Sequence, residues 1–187
     1  MSAWLRRAGR GRDHAGAWVT WTVATGRRGR RWREVRVAPD GNVVSSLLLE
    51  TDPDRRFAHL ELSTAAGLMT LHPEGDGTVH GNVVAEHGVR HVRGLRWSPD
   101  DLILLEGSSI ALAAAAHLLE PGVGLGDEVS ASGLAIELGL QVAPAGSIRV
   151  RRVGVGSWQF ASGAAVAIEA GGLPVLDAGF GWPLETE

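Results

Sequence analysis

His117 is the residue best placed to do chemistry in this chain. It is the one ionisable side chain in the apolar run Ile110-Ala111-Leu112-Ala113-Ala114-Ala115-Ala116-His117-Leu118-Leu119. An imidazole taken out of water needs a hydrogen-bond partner, and burial favours its neutral form. Facing a cavity, it is a candidate general base. Near a helix end, it is a side chain satisfied by a carbonyl, and this structural role is the preferred one. Glu106 and Asp101, with Asp100 beside them, flank the short apolar run 102–105 just upstream. They are candidates to polarise a ligand, or to pair with Arg93 and Arg96. His87 and His91 stand four apart, with His80 seven before His87. On a helix that spacing presents two metal ligands on one face. Gly88 turns the chain between them, however, and no third ligand stands at a suitable distance. No metal and no cofactor are therefore expected.

Other chemistry is excluded by what the chain lacks. All 18 basic residues are arginine, and cysteine and tyrosine are absent. That removes a Schiff-base lysine, a tyrosine acid, a thiol nucleophile and any disulfide. Gly122-Val123-Gly124-Leu125-Gly126 follows a helical run instead of a strand and opens no helix, so it fails as a phosphate loop. No Gly-x-Ser-x-Gly elbow is present.

The elements that must position these residues are mostly strands. Residues 18–24 alternate, with Val19, Trp21 and Val23 on one face. Residues 32–37 follow a basic turn, Pro39-Asp40-Gly41-Asn42 is a strong turn signal, and further strands are expected at 43–50, 57–62, 68–72, 78–86 and 89–93. After the helix, strands are expected at 129–142, 147–155, 157–161, 164–170 and 173–177. Residues 1–16 read as a loose Arg/Gly-rich arm or as the start of a short strand. The run at 108–119 is apolar on every face, which marks a buried helix, and it is too short to span a bilayer. The expected fold is mainly β: an antiparallel sheet curled as a spiral β-roll or open barrel around a single buried helix, about Ser109–Leu119, in a single domain of 187 residues. With no apolar run at the N-terminus and no cysteine, a cytoplasmic location and no membrane insertion are expected.

Charge is lopsided. Residues 1–36 hold ten arginines against Asp13 and Glu34, while the remainder holds eight against nineteen acids. Arg27-Arg28-Gly29-Arg30-Arg31-Trp32-Arg33 has the composition to touch phosphates, with Trp32 to stack on a base. The acidic remainder and the absence of a recognition motif argue instead for a solvated hairpin turn, and against nucleic acid as a partner. Seven tryptophans offer wide apolar faces suited to core packing or to a lipid or sugar ring.

The last third follows an order of features, Val166-Ala167-Ile168-Glu169-Ala170-Gly171-Gly172-Leu173-Pro174-Val175-Leu176-Asp177 and then Phe180-Gly181-Trp182-Pro183-Leu184-Glu185, that resembles the end of the glycolipid-binding family. Trp4 and Leu95-Arg96-Trp97-Ser98-Pro99 resemble its opening and the step before its central motif. That motif, normally a Thr-Asn pair followed by Leu-Pro-Ile-Arg-Arg-Leu, is replaced here by Gly107-Ser108-Ser109-Ile110-Ala111-Leu112-Ala113. The resemblance implies a spiral β-roll, distantly like the lipoprotein carriers LolA and LolB, and with it lipid binding and a possible homodimer. The lead expectation is a binding protein for a lipid-like or amphipathic small molecule in an apolar cavity between sheet and helix. Trp97, Trp158 and Trp182 are the expected walls, with Glu106, Ser108 and His117 as the polar groups. The alternative is a cofactor-independent cyclase or isomerase using His117 and Glu106, with His87, His91 and Asp101 behind them.

Overall fold

The computed structural model describes residues 5–13, 16–168, 172 and 185–186. In chain order the strands are β1 (Leu5–Arg12), β2 (Trp18–Gly26), β3 (Gly29–Val37), β4 (Val43–Thr51), β5 (Phe57–Thr64), β6 (Gly67–Pro73), β7 (Thr78–Ala85), β8 (Gly88–Arg96) and β9 (Leu102–Leu105). The helix α1 (Ser109–Leu119) follows and runs into a 3-10 turn over Glu120–Gly122. Then come β10 (Glu128–Ala131), β11 (Gly133–Ile136), β12 (Val142–Pro144), β13 (Ile148–Gly154), β14 (Ser157–Phe160), β15 (Ala165–Ala167) and β16 (Glu185–Thr186). The fold is mainly β, as expected, with one α-helix among the described residues.

Strands β1 to β8 form an antiparallel meander, and β16 pairs with the outer edge of β1, which makes a nine-stranded sheet. Residues 5–12 are not a loose arm: every residue of β1 is in register with β2, from Leu5 opposite Thr25 to Arg12 opposite Trp18. The period-2 alternation then lines up whole rows of side chains on one face. One row runs Val23, Trp32, Leu49, Leu60, Leu71, Gly81 and Val92. Gly81 is required there, because a Cβ would stand 1.9 Å from the Thr70 carbonyl oxygen. The six members other than Gly81 are buried and join the helix residues in one core.

The helix is buried because its sequence offers no polar face. Ala111, Ala113, Ala114, Ala115 and Ala116 are all buried, and these small side chains let the surrounding strands approach the helix closely. It packs on β3, β9 and β15. Ser108 is its N-cap: the hydroxyl accepts a hydrogen bond from the Ala111 amide at 3.1 Å, which satisfies one of the free donors of the first turn.

One expectation needs correction. The run 129–142 is three elements instead of one strand. Leu140, at φ 60°, closes a turn between β11 and β12, in which the Leu140 amide donates to the Glu137 carbonyl at 2.9 Å. Beside the large antiparallel sheet, β11 runs parallel to β9 in a three-stranded sheet. The parallel pair is close: a Cβ on Gly133 would stand 2.2 Å from the Leu102 carbonyl oxygen.

The tight fit around α1 sets an expected outcome. Ala113→Leu inserts three heavy atoms where Ala113 is fully buried, and overpacking of this kind costs about 1–3 kcal/mol. Urea titration should show a lower midpoint with the same slope; an unchanged midpoint would mean that the helix sits in slack space.

Candidate functional site

The two ends of α1 carry different chemistry, and each is held by strands of the large sheet. At the N-terminal end, Glu34 of β3 points inward. From β2 to β7 its row mates are Trp21, Leu47, Leu62, Met69 and Val83, all apolar and buried. The carboxylate Oε2 accepts from the Ile110 amide and from the Ser109 hydroxyl, each at 3.3 Å. Burial pushes its pKa up, opposed by the hydrogen bonds from Ser108, Ile110 and Ser109 and by the charge of Arg36. Arg36, next on the same face, donates to Asp13 Oδ2 through Nη2 at 2.7 Å and Nε at 3.2 Å. Its guanidinium also lies against Gly107, where a Cβ would stand 2.7 Å from Nη1. The cluster is buried and internally paired, so it positions the helix and presents nothing to a ligand.

Sequence reading missed this cluster. In residues 32–37, Val35 and Val37 advertise an apolar face, yet that face is the less buried one. The signal was Trp32: residues two apart share a face, so burying Trp32 carries Glu34 and Arg36 inward with it.

At the C-terminal end, Arg55 sits in the turn before β5 with φ 71°. Its Nη1 donates to the His117 carbonyl at 2.9 Å and to Glu120 Oε2 at 3.1 Å. Cations suit this end of a helix, where free carbonyls gather. His117 itself is buried, packed edge-on to Trp32 with ring centroids 5.9 Å apart. Its Nδ1 has no hydrogen-bond partner, and Glu120 Oε2 lies 3.5 Å away. Burial, then Arg30 and Arg55, push its pKa down to about 3.

Above this end opens a cleft of about 630 Å³, at the rim of the sheet around the β2–β3 turn. Among the described residues five arginines line it, namely Arg6, Arg27, Arg28, Arg30 and Arg31, with one acid, Glu50. Ala24, Ala58 and the methyl-bearing Thr25 and Thr51 form its remaining wall. Arg31 is committed to Glu50, at 2.6 Å. Arg30 donates from Nε to Thr25 Oγ1 at 3.0 Å and lies 5.0 Å over the Trp32 ring. Burial, with Arg55 nearby, lowers its pKa to about 10. Trp32 Nε1 donates to Thr51 Oγ1 at 3.4 Å, so the indole forms a fixed floor between Arg30 and His117.

The other sequence candidates do not gather here. Glu106 is exposed beyond the far end of α1, where it accepts from the Leu138 amide at 3.3 Å. Ser108 is the N-cap. Asp101 is buried and structural: it accepts from the Ser98 amide at 2.7 Å and from the Ser132 hydroxyl. Trp97 packs edge-on to Phe57, centroids 5.2 Å apart, and Trp158 is buried beneath Arg152. His87 and His91 are exposed near the β7–β8 turn, His91 bonded to Asn82 at 2.7 Å. Among the described residues no three His, Asp or Glu gather to hold a metal. Trp182 lies outside the described residues. Where an apolar cavity was expected between helix and sheet, Leu49, Phe57, Leu102 and Ala114 leave a void of about 20 Å³, roughly the room of one water.

No family model matches the chain, and no curated protein matches it. Among solved structures, a DUF1089 family protein from Pseudomonas aeruginosa is similar at 17% identity over 96% of this chain and 91% of that chain, with a TM-score of 0.49.

The two helix ends respond to pH in opposite senses. Glu34 holds its proton above the ordinary 4.5 when folded, so its contribution to stability is full below that pH and fades as pH rises through the folded value. Glu34→Gln should therefore match the parent in thermal midpoint at pH 4 and exceed it at pH 8. His117 behaves inversely: with a folded pKa of about 3 against 6.5, its contribution is full above 6.5 and is lost as pH falls toward 3. In His117→Gln the thermal midpoint should fall less steeply between pH 6.5 and 4 than in the parent; equal slopes would remove His117 as the cause.

Proposed function

We propose that this protein binds an amphipathic, lipid-like small molecule, and that the seat is the rim cleft beside Arg30. One observation carries the reading: the cleft of about 630 Å³ falls within the usual 300–1,000 Å³ of small-ligand sites, whereas the helix–sheet interface is filled. Its lining suits a molecule with two ends. The arginine stems, alanines and threonine methyls supply apolar wall, and the guanidiniums and hydroxyls supply polar anchors. The glycolipid-binding resemblance points the same way. The described residues contain no helix long and apolar enough to cross a membrane.

The cyclase or isomerase reading draws less support. Glu106 and His117 belong to opposite ends of α1, an 11-residue helix about 16 Å long, so they cannot share one small substrate as an acid–base pair. A histidine held at a pKa of about 3 is also a weak base near neutral pH.

Calorimetric titration with single-chain amphiphiles below their critical micelle concentration tests the reading. One molecule should bind per chain, with the negative heat-capacity change of apolar burial. Ala58→Trp, which fills the cleft from its wall, should weaken binding at least tenfold. Absence of binding by every amphiphile, or equal binding by Ala58→Trp, ends the assignment.

A further inference from the structure

The charge of the cleft goes beyond what an amphipathic ligand alone requires. Among the described residues five arginines line the cleft with one acid, Glu50, and that carboxylate is already engaged by Arg31 at 2.6 Å. Among the described residues Arg6, Arg27 and Arg28 make no ion pair. Arg6 comes from β1, Arg27 and Arg28 from the β2–β3 turn, and Arg30 from β3, so they approach the cleft from more than one strand. The hydroxyls of Thr25 and Thr51 stand beside them.

The helix end beneath leaves the excess in place, since Arg55 and Glu120 pair at 3.1 Å and cancel. Arg55 lies close enough to Arg30 and His117 to act on both, and Glu120 is the acid that balances them. His117 is neutral, so it adds no charge but cannot relieve any. A group entering above Arg30 meets a field with a surplus of positive charge on a partly desolvated wall, where such interactions are stronger than in bulk water.

Resting on the binding-protein reading, we infer that the polar end of the ligand is a phosphate ester, held by Arg6, Arg27, Arg28 and Arg30. The count of charges decides the class. A carboxylate offers one charge and two oxygens. A phosphate monoester brings about −1.5 to −2 charge and three acceptor oxygens at neutral pH. Guanidinium is the group suited to such oxygens, with forked donors and permanent charge. The shape of the site decides against a polynucleotide. The arginines surround a bounded cleft, and the rest of the chain, with eight arginines against nineteen acids, repels an extended polyanion.

Titration calorimetry with decyl phosphate, decyl maltoside, pyrophosphate and a 12-nucleotide single strand tests this at 50 and 200 mM salt. Decyl phosphate should bind at least tenfold tighter than decyl maltoside, and more weakly at the higher salt. Arg27→Gln/Arg28→Gln alters two exposed turn positions, so its circular dichroism should match the parent while the decyl phosphate advantage drops at least tenfold. Arg93→Gln/Arg96→Gln, which removes the same charge from β8, should keep that advantage. Equal affinity for the phosphate and the maltoside overturns the phosphate inference and leaves the amphiphile reading standing. Pyrophosphate binding as tightly as decyl phosphate upholds the arginine site and overturns the amphiphile reading. Tightest binding by the oligonucleotide, or no binding of any of the four, overturns both.

Discussion

A helix with no polar face can live only where its own backbone ends are satisfied by something else. This requirement organises the molecule. The first turn of α1 has free N–H groups and the last turn free carbonyls, and each needs a partner. Ser108 takes the Ala111 amide from within the chain's own turn, and Glu34 takes the Ile110 amide from β3. Arg55 answers the second from the far side of β4. The helix is thereby fixed along its length and about its axis by residues that belong to the sheet. An unpartnered buried amide or carbonyl costs about 1–3 kcal/mol, so these few contacts weigh as much as a sizeable block of apolar packing.

The same requirement explains why charged residues occupy a hydrophobic row. Glu34 sits among Trp21, Leu47, Leu62, Met69 and Val83, where a leucine would pack as well but could accept nothing from the helix. Once an acid is there, a cation near it is useful. Arg36 supplies it while remaining paired with Asp13. The buried charges are a consequence of the buried helix, and they account for the position of the two acids found among the first 36 residues.

Much of this was legible in the residues. The helix showed itself by its unbroken apolar character, and the meander by alternation punctuated with Asp-Gly and Pro-Asp turns. The parts that were not legible share a physical cause. Residues 32–37 carry two conflicting period-2 patterns, and local alternation cannot say which face Trp32 will choose. The parallel pairing of β11 with β9 is set by tertiary packing, which no local pattern encodes. The cleft was invisible for a similar reason: Arg6, Arg30, Thr51 and Ala58 meet only because four strands turn at one rim. Tryptophan drew attention as a wall-forming residue, yet Trp97 and Trp158 are core, and Trp32, read only as a surface for stacking a base, is the indole under the cleft.

The strand order of the large sheet also bears on how the molecule is assembled. From β1 to β8 each strand pairs with the next one along the chain, so every closure spans one short turn and costs little loop entropy. Such hairpins form in microseconds, and sequence-local contacts speed folding generally. The helix follows all eight strands in the chain, and both groups that secure its ends, Glu34 and Arg55, lie within that earlier sheet. The meander is thus a template completed from its N-terminal side, and α1 is the element that waits for it. During synthesis the sheet can emerge and pair before the helix sequence has left the ribosome, leaving its apolar face briefly uncovered. The alanine-rich helix is the lid that ends this exposure, and its small side chains let it seat without displacing strands already in place.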